Sequence, residues 1–395
     1  MGAVLHGFPG PVFGMASRQH VPDTLKLRCM RLISRRAFVE MSASSVMAAR
    51  LPLFAQTTEA ERPVGFAAVG LGTISNIFMH GCAGSQAAKV TGLVTGHPDT
   101  KGKRYGQLYS VPETSVYTYE TFDRIRDNKE IEAVYIGLPN SMHCEYTVRA
   151  AQAGKHVLCE KPMAISSAEC KRMIDACKSA GVKLMIAYRV HYDPTHLQAQ
   201  QLIRSGAIGQ VQAFEGAFGF NAGPNQWRLV RKLAGGGSLM DVGIYPLNEA
   251  RWLTGEEPVS FTAVPTTRDK TSGRFAEMEQ TLDFTVKFPS GIVGAFACTY
   301  GADMPGFLRI HGERGTLELN PAYNYTGTHL VTLGRRQGVD TQSPESDNSY
   351  QFKLEAEHFA HCVRTQAEPT TPGEEGLKDL MAIESIYKAA GTPIG

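Results

Sequence analysis

The chain has 395 residues, 43% hydrophobic and 20% charged, with 40 basic against 38 acidic side chains for a formal charge of +2. That length is too great for one ordinary core and suits two domains, and the composition excludes a disordered or fibrous chain. The near-balance of charge gives no reason to invoke nucleic acid or an anionic membrane as partner, which leaves a small molecule.

Residues 1–60 read as an export signal and leader. Ser34-Arg35-Arg36-Ala37-Phe38-Val39 has the twin-arginine pattern, with Arg31 ahead of it and a modestly apolar run over residues 41–49. Leu53-Phe54-Ala55 then offers a small residue for cleavage before Gln56-Thr57-Thr58. The apolar run is far shorter than the ~20 residues a bilayer needs, so no stable anchor is expected. Residues 1–29 fit neither signal nor domain, which points to translation from Met30; amino-terminal sequencing of the precursor decides it. The eight cysteines (Cys29, Cys82, Cys144, Cys159, Cys170, Cys177, Cys298 and Cys362) form no CxxC pair and no zinc-spaced cluster. No metal is expected, and such unpaired cysteines suit folding in a reducing compartment. The twin-arginine machinery carries folded proteins, so it reconciles those cysteines with a periplasmic or secreted destination. A cytoplasmic leader is the alternative.

Residues 61–187 alternate short apolar runs with helical patterns. Strands are expected over residues 64–69, 89–95, 133–138, 156–159 and 183–187, with helices ending near Ala153 and spanning 167–180. Near-continuous apolar strands between helices predict a parallel sheet covered on both faces. From residue 188 onward the character changes. A helix over 195–205 leads into a strand-like stretch over 210–220, and residues 281–288 and 292–300 alternate apolar and polar about Pro289-Ser290-Gly291. That is an antiparallel hairpin with one buried face. Residues 307–310 and 316–319 extend the sheet, and helices over 354–363 and 377–390 close the chain. The expected architecture is α/β: a Rossmann domain over 61–187, then an α+β domain over 188–395 with a large, mostly antiparallel open sheet for substrate binding and oligomerisation.

Gly70-Leu71-Gly72 follows the first strand and opens a helix, where glycines let the backbone approach a pyrophosphate held at the helix amino-terminus. Ser75 replaces the third glycine of the fingerprint, which predicts slightly looser helix–strand packing. The second strand ends in Thr95-Gly96-His97-Pro98-Asp99-Thr100-Lys101. An NAD enzyme places a carboxylate here for the ribose hydroxyls. Thr95 and Gly96 leave room instead, and His97 and Lys101 offer donors to a 2′-phosphate, so NADP is the expected cofactor. The bland reading of Lys101 is a solvated charge at a helix start.

Leu158-Cys159-Glu160-Lys161-Pro162 ends a strand of the series, so Lys161 should project beyond the strand ends towards a nicotinamide. With Ala133-Val134-Tyr135-Ile136, Leu138-Pro139-Asn140-Ser141, Gly154-Lys155-His156-Val157, Tyr188-Arg189, His191-Tyr192-Asp193-Pro194, Gln226-Trp227-Arg228-Leu229, Gly235-Gly236-Gly237-Ser238-Leu239-Met240-Asp241 and Pro372-Gly373-Glu374-Glu375-Gly376, the chain resembles the Gfo/Idh/MocA oxidoreductases, and within them the glucose–fructose oxidoreductase branch. The similarity runs from about residue 64 to 390. It implies an acid–base trio of Lys161, Asp241 and Tyr245; many members carry His where this chain has Tyr245. Asp241 and Tyr245, four apart, would share one helix face, and the glycine run before them would let that helix abut the cofactor. It also implies cofactor contacts from Gly70, Gly72, Thr73, Ile74, Thr95, Gly96, Lys101, Leu138, Pro139, Asn140, His143, Glu160, Lys161, Arg189, Trp227 and Arg228. Substrate contacts are expected from Tyr188, Tyr192, Asp193, Asp241 and Tyr245.

The expected chemistry is hydride transfer from a sugar's anomeric carbon, with Tyr245 taking the hydroxyl proton. A free phenol ionises near ~10, so the Lys161 ammonium is expected beside it to stabilise the phenolate. Asp241 would hold Lys161 or bind a sugar hydroxyl. Tightly bound NADP shuttling between two sugars is the leading expectation. A dehydrogenase or reductase with exchangeable NADP(H) is the runner-up, and a non-catalytic cofactor or sugar sensor the reading from another class. The resemblance suggests a homodimer or homotetramer, with residues 56–63 as a short amino-terminal arm.

Overall fold

The computed structural model describes residues 62–333 and 338–394. The chain divides into two units, Met1–Ala60 and Glu61–Gly395, and all that follows belongs to the second. The twin-arginine segment, the Met30 start and the arm up to residue 61 lie outside the described residues.

Strands β1 (Val64–Val69), β2 (Ala88–Val94), β3 (Val116–Tyr117), β4 (Ala133–Ile136), β5 (His156–Glu160) and β6 (Leu184–Ala187) form one parallel sheet. Their order is 3-2-1-4-5-6, the doubly wound arrangement whose reversal beside β1 opens a crevice at the carboxyl ends of the strands. β1 and β4 are buried along their whole length, which is why they read as unbroken apolar runs. Helices α1 (Thr73–Ala83), α2 (Lys103–Tyr109), α3 (His143–Gln152) and α4 (Ser167–Ala180) lie between the strands. The limits of α4 were legible because Ser166 caps it by accepting from the Glu169 amide and Gly181 ends it at φ 67°.

After α5 (Pro194–Arg204), strand β7 (Val211–Gly219) and helix α6 (Ile244–Thr254), the remaining strands are β8 (Ser260–Thr266), β9 (Thr281–Lys287), β10 (Val293–Thr299), β11 (Met304–Gly312), β12 (Gly315–Leu319), β13 (His329–Leu333) and β14 (Asp340–Gln342). They make an eight-stranded sheet in the order 14-13-12-11-7-10-9-8, antiparallel except where β7 meets β10. Phe214, Leu282, Phe284, Phe296 and Leu308 on its inner face share a core with Ile244 and Leu247 of α6. The opposite face leaves Val264 and Val293 exposed. The strands that the pattern missed, β3, β8, β13 and β14, lie at or next to sheet edges, where a strand needs little apolar alternation; β8 even carries Pro265, which only an edge tolerates.

Helix α7 (Tyr350–Thr365), far along the chain, joins the first sheet. Its Phe352, Ala356 and Phe359 pack with Phe66, Phe78 and Tyr135 of the first sheet rather than with the second. An amphipathic pattern reveals that a helix has an apolar face but not which sheet that face covers. Helix α8 (Gly373–Ala389) follows.

α7 also buries Glu355 completely, with neither carboxylate oxygen hydrogen-bonded. Burial, reinforced by Glu160, holds this carboxyl well above the usual range, with Arg189 opposing. Unfolded, it ionises near ~4.3. The folded state therefore keeps a proton that the unfolded state loses, and stability falls as pH rises past that point. Replacing Glu355 with Met should stabilise the protein by about 1–3 kcal/mol at pH 8 and by distinctly less at pH 4. Urea unfolding at the two pH values reads it; equal gains would mean that Glu355 is ionised in the fold.

Candidate active site

The first βα turn is built to receive a pyrophosphate. Gly70 has φ 85°, and a Cβ there would come within 2.7 Å of Leu138 Cδ2 and 2.8 Å of the Gly137 carbonyl, so the fold itself demands glycine. Gly72 differs: its φ is −91° and a Cβ would meet nothing within 4 Å. The protein has no use of its own for that emptiness. It lies at the start of α1, where no side chain caps the first amides, and these are the donors a phosphate needs. Gly72→Val should therefore keep its melting temperature and weaken nicotinamide dinucleotide binding by at least about tenfold. Unchanged affinity in a fluorescence titration would place the pyrophosphate elsewhere.

Ser75 does not loosen the packing as expected. It is fully buried, and Gly137 makes the room: a Cβ on Gly137 would lie 2.3 Å from Ser75 Oγ. The glycine missing from the helix stands on the facing strand end. At the end of β2, Thr95 is buried and its Oγ1 accepts from the His97 amide at 3.1 Å, whereas Gly96, His97 and Lys101 face outward.

Beyond the strand ends lies a cleft of about 660 Å³ lined by Thr73, Ile74, Leu138, Asn140, Glu160, Lys161, Arg189, Trp227, Arg228, Asp241 and Tyr245. Lys161 Nζ donates to the Asp241 backbone oxygen at 2.7 Å and to its Oδ1 at 3.0 Å. Asp241 Oδ2 accepts from Arg228 Nε at 2.7 Å and from the Tyr300 hydroxyl at 3.1 Å. Burial works against the Lys161 charge, but Tyr245, Asp241 and Glu160 prevail and hold the ammonium above the ordinary lysine range. Burial likewise opposes the Asp241 carboxylate, and Lys161 and Arg228 overcome it to keep the carboxyl well below its usual range. Both groups are thus charged at neutral pH. Lys161 cannot accept a proton, and Asp241 is committed to its three partners. Within the trio, the remaining group with a proton to exchange is the Tyr245 phenol.

Its surroundings differ from expectation in one respect. Lys161 Nζ lies over the Tyr245 ring, 4.6 Å from its centroid, rather than at its hydroxyl, because Asp241 draws the ammonium aside. The hydroxyl oxygen instead accepts from Arg189 Nε at 3.2 Å. Tyr245 and Asp241 come from one helical stretch, a π turn over Leu239–Gly243 running into α6. The glycine run before it packs on Ile165, Tyr387 and Glu279, not on the cofactor side as expected.

Three expected substrate residues lie outside the cleft. Tyr188 is buried and donates to Asp379 Oδ2 at 2.6 Å. Tyr192 turns to Met185 and Thr371 under the first sheet. Asp193 caps α5 through the Thr195 amide at 2.8 Å and accepts from Thr328 and Gln351. Residues at successive positions after a strand point in different directions, and spacing alone could not sort them. His143 is also removed from the cleft: fully buried, its ring bridges the Leu138 and Pro162 carbonyls at 2.9 Å each, stitching the two cofactor-side loops together. Pro139 likewise shapes that loop without lining the cleft. The sequence reading missed Phe218, Phe220, Tyr323, Asn324, Tyr325 and Tyr300. The first five line the cleft, and Tyr300 holds Asp241 from behind it. The alternating Tyr323-Asn324-Tyr325 was the available signal, but it sits in a loop between strands and belongs to no motif.

Two family models match the chain: an oxidoreductase family with an NAD-binding Rossmann fold over residues 64–188, and the GFO/IDH/MocA C-terminal domain over residues 196–318. The chain belongs to the Gfo/Idh/MocA oxidoreductase family. It is similar to D-xylose 1-dehydrogenase [NADP(+)] of Haloarcula marismortui, 31% identical over 85% of this chain and 94% of that protein. Among solved structures it is similar to aldose–aldose oxidoreductase from Caulobacter crescentus, solved with glycerol (44% identity, TM-score 0.79, covering 84% of this chain and 98% of that one). Levoglucosan dehydrogenase, at 20% identity and TM-score 0.74 over 83% of this chain and 97% of that one, shares the fold. As a Gfo/Idh/MocA oxidoreductase the chain has its dinucleotide domain first, and the Lys161–Asp241–Tyr245 cluster stands where that domain meets the second sheet.

Proposed function

We propose that this chain is an NADP-dependent sugar oxidoreductase that oxidises an aldose such as glucose at its anomeric carbon and reduces a second, fructose-like sugar, keeping the nucleotide between the two steps. The observation that carries this reading is the cleft itself: a phenol flanked by a buried lysinium, walled by Phe218, Phe220, Trp227, Tyr323 and Tyr325 at the mouth of a dinucleotide fold. Aromatic faces beside hydrogen-bonding groups suit a pyranose, which has an apolar face and a polar rim. When bound, NADP supplies the hydride acceptor. Tyr245 takes the hydroxyl proton as the carbon gives up its hydride, and the cations beside Tyr245 stabilise the resulting charge distribution. In the return direction the same phenol protonates the carbonyl oxygen of the second sugar.

NADP is favoured over NAD because no carboxylate stands at the very end of β2, Asp99 lying later in the helical turn that follows, Gly96 opens the surface there with only Tyr119 nearby, and Lys101 is exposed. One relative is named for NADP(+), and the name of the aldose–aldose oxidoreductase supports the pairing of two sugars. The twin-arginine pattern supports a periplasmic or secreted site of action, where free nucleotide is scarce and a retained one is an advantage. The exposed outer face of the eight-stranded sheet supports a homodimer or homotetramer.

The test uses protein as purified. Released nucleotide is identified by mass, and the bound nicotinamide is followed at its reduced absorbance as glucose and then fructose or a second aldose is added without cofactor. Reduction by the first sugar and reoxidation by the second is the expected result. Protein that stays inert until NADP is supplied would be an ordinary dehydrogenase with exchangeable cofactor. Protein that turns over no sugar under either condition would overturn the enzymatic reading.

A further inference from the structure

We infer that Arg189 is a catalytic residue of this site, the cation on the proton-accepting oxygen of Tyr245, and that Asp193 and Gln351 are the pair that position it. The inference rests on the reading above and assigns to Arg189 a role different from cofactor contact.

The geometry is specific. Arg189 is buried, yet it lines the cleft. Its Nε donates to the Tyr245 oxygen at 3.2 Å. Because that oxygen already receives a hydrogen bond, and no described residue accepts the phenol's own hydrogen, the hydrogen is left to point into the cleft. Three of the other four N–H groups are held: Nη1 donates to the Asn324 carbonyl at 3.1 Å and to Gln351 Oε1 at 2.5 Å, and Nη2 donates to the Tyr323 carbonyl at 2.6 Å. A guanidinium tied at both ends cannot swing to a phosphate, and its Nε–H is aimed at the phenol. The guanidinium carbon also lies 4.5 Å from the Tyr325 ring centroid and 5.1 Å from that of Tyr245, which holds its plane.

Gln351 owes its orientation to Asp193. Its amide nitrogen donates to Asp193 Oδ2 at 2.8 Å, which turns its carbonyl oxygen towards Arg189. Asp193 is fully buried and is held by neutral donors: the Thr195 amide and hydroxyl, the Thr328 hydroxyl, Tyr350 and Gln351. The charged and titratable groups around the phenol are therefore Lys161 over its ring, Arg189 at its oxygen, and Tyr323 and Tyr325 from the loop after β12. When Tyr245 accepts the substrate's hydroxyl proton, the O–H bond of the sugar breaks and that of the phenol forms. Before that transfer the phenol has released its own hydrogen to water in the open cleft, and its oxygen carries the charge that Arg189 offsets. An ionised acceptor held by a fixed, charge-assisted donor is the stronger kind of hydrogen bond, and Arg is suited to it because it stays charged.

The test measures sugar oxidation and NADP affinity in the wild type, Arg189→Ala and Gln351→Met, with and without added guanidinium ion. Wild-type turnover establishes the sugar reading independently of the variants. Arg189→Ala should lose about 10²–10³-fold in kcat, keep its NADP affinity by fluorescence titration, and regain part of its rate with guanidinium. Guanidinium should do nothing for Tyr245→Phe, which has no oxygen to serve. Gln351→Met, which keeps Arg189 but frees it, should lower kcat with little change in KM. Arg189 would instead be a cofactor ligand if its loss weakened NADP binding, and the inference fails equally if the rate is unchanged or guanidinium restores none of it. Should Arg189→Ala not fold, Gln351→Met decides alone, and a wild-type kcat there overturns the inference.

Discussion

Tyr245→Phe should lower kcat for sugar oxidation by about 10²–10⁴-fold while leaving fold and dinucleotide affinity intact. The substitution deletes one oxygen. The ring keeps its edge-on contact with Phe218, 5.5 Å between centroids, and its place under Lys161. Arg189 keeps its three carbonyl acceptors. The large loss is expected because the neighbouring groups cannot substitute: Asp241 and Glu160, both left in place, keep Lys161 protonated, and Asp241 is held ionised by Lys161 and Arg228. Steady-state kinetics beside a thermal melt checks it. A variant that turns over at near wild-type rate would mean that water or a sugar hydroxyl carries the proton, and the role of the phenol would be packing only.

The second large effect is on stability. Asp379→Ala should cost about 3–5 kcal/mol in urea unfolding. Asp379 is fully buried in α8 and accepts from Tyr188 at the end of β6 at 2.6 Å, from Asn248 at 2.9 Å and from Arg251, the last two on α6. One carboxylate therefore ties the strand that carries Arg189 to the helix that carries Tyr245. Its removal leaves a buried phenol and amide without their acceptor and a buried guanidinium with only Glu257 and Glu375. Tyr188→Phe removes a single hydrogen bond and should cost about 1 kcal/mol, so comparing the two separates the ion pair from the rest. A loss below 1 kcal/mol for Asp379→Ala would show that water enters the joint and satisfies the stranded groups.

The parallel half of the fold was legible because its strands are buried on both faces and its punctuation is local: Gly70 and Gly72 at one turn, Ser166 and Gly181 at the ends of one helix. The edges of both sheets were not, since an edge strand such as β8 needs neither alternation nor freedom from proline. The trio Lys161, Asp241 and Tyr245 was reachable from motifs, and the cleft brings its members together. What each does there was not. Lys161 was expected beside the phenol, but not on which side of it; its bond to Asp241 sets it over the ring, and Arg189, 56 positions away in the chain, takes the oxygen.

Periodicity and motif chemistry determined by themselves that a dinucleotide fold precedes a mixed sheet, and the family resemblance that the motifs carry pointed to the three side chains at its mouth, because those signals depend on neighbours in the chain. The tertiary structure alone decided that Asp193 acts through Gln351 on Arg189, that Gly137 makes space for Ser75, and that α7 closes the first sheet. Each of these joins residues from distant segments, and hydrogen bonds and steric fit between such segments exist only once the chain has folded.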